Sequence, residues 1–181
     1  MHHHTVMAET TKEGQLSLAP QGAATPVAAP AGGDHARAYP MRPEIGVGVV
    51  VWRGEEFLLI RRGKPPRYGQ WSIPGGRQEL GETTRETAVR EIKEETNVEI
   101  DLIGLVDVYD AIRVDTNGGI ASHFTLIDFA ARWVSGDPVA GDDAIGVGWF
   151  RLTDLAELKL WKETEHVIRA SRRLIDGGPV R

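Results

Sequence analysis

The amino-acid sequence predicts the α/β (α+β) fold class, with a mixed β-sheet and helices packed on it. Residues 45–52 carry β-branched side chains at every second position, which is the period of a strand. Residues 83–97 instead place apolar side chains on one side of a helix. Further strands follow this helix, and a last helix is expected at about residues 160–175. This order of strands, helix, strands and helix predicts the mixed sheet.

The first half of the predicted domain contains a hairpin and a loop. The strand at 45–52 is followed by the turn "RGEE" and by "FLLIRR", which has the composition of a second strand. The paired prolines and two glycines of "GKPPRYGQ" predict a loop, because they interrupt regular structure. The next segment, "WSIP", is expected to be a short strand.

The second half contains two long strands and a shorter one. "IDLIGLVDVYDAIRV" is apolar and β-branched, and the Asn-Gly of "TNGG" predicts a hairpin turn after it. "SHFTLIDFAARWV" is expected to be the returning strand, "SGDPVAGDD" a loop and "GVGWFRL" a further short strand.

Two helical segments close the sequence. "TDLAEL" opens with Thr-Asp, which suits a helix N-cap. The helix at about 160–175 is predicted to place four side chains on one stripe: Trp161, Thr164, Ile168 and Ile175.

Composition narrows the possible classes of function. The 181 residues fit one domain, and the formal net charge of −5 argues against nucleic-acid binding through a basic face. The absence of cysteine excludes disulfides and thiolate metal sites. No apolar run reaches the length of a membrane span and no secretion signal is visible, so a cytoplasmic protein is expected.

The N-terminal segment differs in composition from the rest of the chain. Residues 1–42 are rich in Ala, Pro, Gly and Thr, and such a segment buries too little apolar surface to fold. We predict a disordered tail there, in which His2–His4 are a tag remnant or part of the disordered end. The folded domain is expected at residues 43–178.

Three acidic residues crowd one side of the predicted helix. Glu91 and Glu95 are one helical turn apart, which costs about 0.2–0.5 kcal/mol by repulsion, and Glu94 adds a third charge. One interpretation is a solvated acidic surface. The other is a site for a hard cation such as Mg²⁺, which prefers carboxylate oxygens together with water and phosphate. Gly75 and Gly76 favour the second, because glycine lets the backbone approach closely.

The spacing of these residues resembles the signature of the Nudix hydrolase family. That signature is Gly, five residues, Glu, seven residues, Arg-Glu, an aliphatic residue, any residue, Glu-Glu, any residue, Gly and an aliphatic residue. In this sequence it falls on Gly76, Glu82, Arg90, Glu91, Ile92, Glu94, Glu95, Asn97 and Val98, with Asn97 in place of the last glycine. The resemblance covers about residues 43–175.

The resemblance implies the Nudix fold, a mixed β-sheet sandwiched between helices. The signature itself, residues 76–98, is called the box, and it is implied to form a loop–helix–loop. It implies metal-ligand positions for Glu91, Glu94 and Glu95, with the Gly75 carbonyl as a further ligand. Mg²⁺ is the implied cofactor, and Mn²⁺ is a possible substitute.

Three further box positions have implied structural roles. Glu82 and Arg90 usually pair in the family to brace the loop. Asn97 stands where a glycine ends the helix in the left-handed conformation, and asparagine is the next most tolerant residue there.

The implied activity is cleavage of a diphosphate linkage, with Glu94, Glu95 and Arg90 as catalytic residues. The general base is predicted to be Glu94 or Glu95. The family often uses an acid from a later loop instead, and Asp142 and Asp143 are the nearest candidates in this chain. Alternatively, Asp142 and Asp143 belong to an ordinary polar loop and have no catalytic role.

A basic cluster lies just before the box, at Arg61, Arg62, Lys64 and Arg67. It either contacts the substrate's phosphates or keeps a strand end and loop solvated. Arg61 and Arg62 are favoured for substrate binding, since both end a strand expected to face the site, and Gly76 is assigned to the same role.

The predicted substrate is a small nucleotide, with ADP-ribose or a nucleotide sugar ranked first. The alternative is a damaged nucleoside triphosphate hydrolysed to the monophosphate, and a third reading is a nucleotide-sensing domain without catalysis. No membrane and no nucleic-acid partner are expected, and a homodimer is possible.

Overall fold

The structure, a computed structural model, describes residues 39–65, 67–141 and 143–178. Its first strand, β1 (Glu44–Arg53), turns at Gly54 into β2 (Glu56–Arg62), and the two pair antiparallel. Gly54 has a φ of 62°, which glycine adopts readily in a tight hairpin turn. The predicted hairpin is therefore confirmed.

Two short strands follow the loop after β2. Strand β3 (Trp71–Ser72) pairs with β2, and β4 (Gly75–Arg77) pairs with β1. The predicted strand at 71–74 is wrong in its second half. Between the two strands the Pro74 carbonyl accepts a hydrogen bond from the Val49 backbone N–H.

Helix α1 (Thr84–Thr96) begins and ends as the box sequence indicates. Thr83 and Glu86 form a capping box, in which each side chain accepts a hydrogen bond from the other residue's backbone N–H. Asn97 ends the helix in the left-handed conformation, with a φ of 59°. The conformation predicted for Asn97 is confirmed.

A long hairpin forms the next part of the sheet. Strands β5 (Glu99–Val114) and β6 (Ile120–Ser135) pair antiparallel over their length. The Asp115 carboxylate accepts hydrogen bonds from the backbone N–H groups of Asn117 and Gly119, which closes the turn as predicted from "TNGG".

The C-terminal part returns to the first hairpin. Strand β7 (Ala144–Arg151) pairs with β2 and is followed by a 3-10 turn, by α2 (Leu155–Leu158) and by α3 (Lys162–Ile175). Asp154 lies at the N-cap position of α2, as predicted from Thr153-Asp154, but its side chain does not cap that helix. The Asp154 carboxylate accepts from the Arg151 N–H ahead of the 3-10 turn and makes no cap bond to α2.

Within the described residues the sheet has seven strands in the order β3-β2-β1-β6-β5, with β4 beside β1 and β7 beside β2. Strands β1 and β6 are parallel and the other pairs antiparallel, so the sheet is mixed as predicted. One face packs Leu58 and Val49 on Ile92 of α1. The other packs Phe57 and Val50 on the α3 side chains. The α+β sandwich is confirmed.

The four-residue stripe predicted for α3 is partly buried. Thr164 and Ile168 are buried, and Ile175 packs at the edge of the same core cluster. Trp161 lies one residue before the helix. Of the predicted tail, Tyr39 donates its backbone N–H to the Ala121 carbonyl, and residues 1–38 lie outside the described residues.

Candidate active site

The three box glutamates differ in how deeply they lie. Glu95 is 9% exposed, the Glu91 side chain is 14% exposed, and the Glu94 side chain is 59% exposed. Helix α1 buries the first two because its apolar face packs on the sheet beside β4. The site therefore contains one buried carboxylate, one half-buried carboxylate and one that reaches solvent.

The glycine pair of β4 lies directly against these carboxylates. The Gly75 backbone N–H donates to Glu95 Oε2 at 2.8 Å. A Cβ at Gly76 would collide with the Glu91 carboxylate, and a Cβ at Gly75 would collide with the Val47 carbonyl. The close approach predicted for this pair is thus present, and only glycine permits it.

Arg90 connects three other predicted site residues. Its Nε and Nη2 bind the two oxygens of Glu82 at 2.6 and 3.0 Å, a bidentate pair. Its Nη1 donates to Glu91 Oε1 at 2.9 Å and to Glu94 Oε2 at 3.1 Å. The structure therefore brings together the two residues of the predicted brace and ties them to the box helix.

The loop before α1 is held by bonds that the motif did not indicate. Glu82 Oε2 also accepts from the Glu79 backbone N–H and from the Thr87 hydroxyl. The Arg90 Nη2 donates to the Arg77 carbonyl as well. Thr87 is fully buried in α1, so its polar side chain on the inner side of the helix was the available signal.

The site separates acids that stay ionised from acids that are poised to bind a proton or a cation. The hydrogen bonds from Arg90 lower the pKa of Glu82 to about 2. Burial raises the pKa of Glu91, and burial raises the pKa of Glu95 to about 7, with the neighbouring Glu91 charge adding to the effect. Any bound cation would offset this unfavourable charge.

Within the described residues, no three acidic or histidine side chains converge on one point as a cation cage does. The three box carboxylates do not converge because they have different partners. The Arg90 Nη1 binds Glu91 and Glu94, whereas Glu95 accepts from the Gly75 N–H. The donor atoms are nevertheless carboxylate oxygens on one rigid helix, which fit a hard divalent cation. A cation at this site would compete with Arg90 for them.

The loop before β7 lies near the same glutamates. The charge of Asp143 contributes to the raised pKa values of Glu91 and Glu95, so its carboxylate is close to both. Asp143 forms an ion pair with Lys64 of the basic cluster. The other acid predicted from this loop, Asp142, lies outside the described residues.

The two arginines that end β2 face opposite sides of the sheet, so the prediction that both face the site is wrong. The side chain of Arg61 lies on the side of Trp71, and its Nε donates to the Gly69 carbonyl. Arg62 lies on the α1 side, where its charge acts on Glu95. Neighbouring residues of a strand alternate, which is the physical reason.

Arg62 and Arg67 of the basic cluster have surroundings that the sequence did not reveal. The Arg62 Nε is buried and has no hydrogen-bond partner in the described part of the chain. The Arg67 guanidinium lies 4.3 Å over the Trp161 ring, and Trp161 packs edge-on against Tyr109 at 5.6 Å. Burial, with the charge of Arg62, lowers the pKa of Arg67. No spacing in the sequence connects these residues, since they come from different elements.

Comparison with known proteins decides the family. The sequence profile of the NUDIX domain matches residues 42–171, which is most of the chain. The chain belongs to the Nudix family.

Relatives and solved structures agree with this assignment. The chain is 33% identical over 137 residues to an ADP-ribose pyrophosphatase of Methanocaldococcus jannaschii, which covers 76% of this chain and 78% of that protein. A MutT NUDIX hydrolase of Burkholderia pseudomallei is 30% identical, with a TM-score of 0.61 over 71% of this chain and 98% of the other. A NUDIX hydrolase of Nitrosomonas europaea, 22% identical, shares the fold with a TM-score of 0.63 over 78% and 77%.

Membership of the Nudix family establishes the general type of reaction. The protein is a Nudix-type pyrophosphohydrolase, and Nudix hydrolases act on small nucleotides and generally use divalent metal ions. Among the described residues, no helix is both long and apolar enough to cross a membrane.

Proposed function

We propose that this Nudix hydrolase uses Mg²⁺ to cleave the diphosphate linkage of a nucleoside diphosphate derivative, with ADP-ribose or a nucleotide sugar as substrate. The observation that carries the proposal is the half-buried Glu91 carboxylate and the buried Glu95 carboxylate, which lie against Gly76 and Gly75. Similarity to the ADP-ribose pyrophosphatase of M. jannaschii supports the choice of substrate.

The metal would be held by oxygen ligands of the box. Glu91, Glu94, Glu95 and the Gly75 carbonyl would supply them, and Mn²⁺ could replace Mg²⁺ because it accepts the same ligand type. When bound, such an ion neutralises phosphate oxygens and lowers the pKa of bound water.

The residues around this position have separate roles in holding the box and binding the substrate. Glu82 holds Arg90, and Arg90 in turn holds the box carboxylates in place. Arg62, whose buried Nε has no partner in the described residues, donates to the substrate's phosphate oxygens, which Arg61 cannot reach from the other face. Gly76 lets the Glu91 carboxylate lie against the β4 backbone, and its backbone would border the bound diphosphate.

Proton removal from water falls to Glu94. Its side chain is the most exposed of the three box glutamates, and only its Oε2 is bonded, to Arg90. Its Oε1 can therefore accept the proton as the water oxygen bonds to phosphorus and the bridging oxygen leaves. Glu95 is more deeply buried, and Asp143 is engaged with Lys64, so we rank both below Glu94.

The proposal is tested by turnover with purified protein. ADP-ribose, a nucleotide sugar, a dinucleoside polyphosphate and a nucleoside triphosphate are each incubated with Mg²⁺, with Mn²⁺ and with chelator, and the products are separated by chromatography. We expect metal-dependent release of a nucleoside monophosphate from ADP-ribose or the nucleotide sugar. Preference for the triphosphate would overturn the substrate assignment, and binding without turnover would favour a sensor.

Variants separate the roles of the acids. Glu94→Gln and Glu95→Gln should each lower kcat by orders of magnitude and leave the circular dichroism spectrum unchanged. Glu99→Gln is the matched control, because Glu99 is an exposed acid that, among the described residues, pairs with Lys93 and not with the box residues. Equal turnover in the two box variants and the control would contradict the assigned roles.

Three predictions are left for separate experiments. The cytoplasmic location, the homodimer and the disordered tail with a domain at residues 43–178 stay predictions. Sedimentation at several protein concentrations tests the homodimer, and limited proteolysis of the full chain tests the tail.

A further inference from the structure

A second buried carboxylate lies on the opposite face of the sheet from the box. Asp128, in β6, is 7% exposed. Within the described residues, the Asp128 carboxylate forms no hydrogen bond and no ion pair, and the charge of Asp107 across the strand pair adds to the effect of burial in raising its pKa. A buried acid without a partner costs stability, and an apolar residue would fill the position better. The fold alone does not account for Asp128.

The register of the sheet connects Asp128 to the box. Asp128 is paired with Gly48 of β1, and Gly48 is paired with Gly75 of β4. Because neighbouring strands lie about 4.8 Å apart, the Asp128 and Gly75 backbones are about 10 Å apart. Gly75 donates its N–H to Glu95, so one row of the sheet joins both acids.

The missing side chain at Gly48 leaves room for the Asp128 carboxylate. A Cβ at Gly48 would collide with Asp128 Oδ1 and would lie 2.8 Å from Ile73 Cδ1. Asp128 has the same strand parity as Ala130, which packs in the α3 cluster, so its carboxylate lies on the α3 face. The row therefore holds the Asp128 carboxylate directly against the β1 backbone, next to Ile73.

Side chains suited to a nucleoside surround this acceptor. Asp107 faces α3, where its Oδ2 lies 3.5 Å from His166 Nε2. Two residues further along β5, Tyr109 contacts Trp161 at the start of α3. Aromatic rings and polar groups next to a buried acceptor are typical of pockets that bind small organic ligands.

We propose that Asp128 accepts a hydrogen bond from an N–H or O–H group of the substrate's nucleoside half and thereby helps to select the nucleoside. The inference rests on the proposed function, since the box fixes the diphosphate at the other end of the row. The span from Gly75 to Asp128 is about that of a nucleoside between its phosphate and its base. The raised pKa of Asp128, about 7, agrees with an acid that lacks its partner until ligand binds.

The test uses two replacements and one control. Asp128→Asn keeps the shape and removes the charge, whereas Asp128→Leu keeps the shape and removes the acceptor. The control is Ser171→Ala, because Ser171 is equally buried on the α3 face but has both partners, Trp52 Nε1 and the Ile168 carbonyl.

We expect Asp128→Leu to raise KM on the order of 10- to 100-fold with little change in kcat, because a hydrogen bond to a charged group is lost. Its Tm should not fall, since the replaced acid has no partner. Ser171→Ala should show the reverse, a lower Tm and an unchanged KM. A lower Tm with unchanged KM in both Asp128 variants would overturn the proposal.

Binding of products separates this proposal from the proposed function, because binding requires no turnover. Adenosine, inosine and 2′-deoxyadenosine monophosphates and ribose 5-phosphate are each added in thermal-shift experiments. Wild-type protein should be stabilised by at least one nucleoside monophosphate, the Leu variant much less so, and ribose 5-phosphate should affect both equally. Equal stabilisation of wild type and variant by every nucleotide, or of neither, would overturn the role of Asp128. Lack of turnover alone would overturn only the proposed function.

Discussion

Replacement of Asp128 by asparagine should change the pH dependence of folding stability. The ordinary pKa of the carboxyl is 3.8, and burial, with a smaller effect from the Asp107 charge, raises it to about 7 in the folded protein. The folded state therefore holds this proton more tightly than the unfolded chain does. The acid costs nothing below about pH 4, costs progressively more between pH 4 and pH 7, and reaches its full cost above pH 7.

The size of the effect follows from that pKa difference. A shift of about three pKa units corresponds to ~4 kcal/mol at 1.36 kcal/mol per unit, and partial hydration of the buried carboxylate would reduce it to ~2–4 kcal/mol. Other charged groups near Asp128 are few. Asp107 faces it from β5, His166 faces Asp107 from α3, and the adjoining positions Gly48 and Ile73 are uncharged.

The assay is urea denaturation of wild type and Asp128→Asn at pH 4.5, 6, 7.5 and 9, with chelator present. Because all other groups titrate in both proteins, their contributions cancel in the difference. The variant should gain stability relative to wild type as pH rises, and the gain should level off above pH 7. A difference that stays constant over this range would refute the reasoning, since a polar-to-polar packing change has no pH dependence.

Four further changes test the box. Glu95→Gln should lower kcat on the order of 10³-fold at saturating Mg²⁺, measured by product release, while the circular dichroism spectrum is retained. Gly76→Ala should lower both kcat and Tm, because the new Cβ collides with Glu91. Asn97→Gly should raise the free energy of unfolding by about 0.5 kcal/mol in urea denaturation, because glycine adopts the left-handed conformation at no steric cost. Glu82→Gln should lower Tm at pH 7, and the difference should vanish as pH falls from about 4.5 to 2, where wild-type Glu82 also loses its charge.

Local sequence patterns predicted most elements of the fold. The alternation at 45–52 predicted β1 to within one or two residues of its ends, because one face of each strand must meet the core. Asn117-Gly118 predicted the turn between the two longest strands. The parallel pairing of β1 with β6 was not predictable, since it joins segments far apart in sequence through contacts that no local pattern records.

Some contacts of the site were predicted correctly and others were not, and the difference has a physical reason. The resemblance to the Nudix signature implied that Glu82 pairs with Arg90, and a fixed signature can carry this pair because both residues belong to one continuous segment. The assignment of both Arg61 and Arg62 to the site ignored strand alternation, which the sequence already contained. Asp128 was also visible, as an acid within the apolar run "LIDFA", yet its burial became evident only when α3 and β1 covered it.

The two buried acids have a common cause in the row Asp128, Gly48, Gly75. Both Asp128 and Glu95 have a pKa raised to about 7 by burial, and in the part of the chain that the structure describes neither forms an ion pair. A Cβ at Gly48 would collide with the Asp128 carboxylate, and Glu95 accepts a hydrogen bond from the Gly75 N–H on the other face of the sheet. Apolar clusters on both faces supply the stability that these charges reduce. Unfavourable buried charge persists where binding a ligand relieves it, and the connection of both acids to one row agrees with the proposals that a metal binds beside Glu95 and a nucleoside beside Asp128.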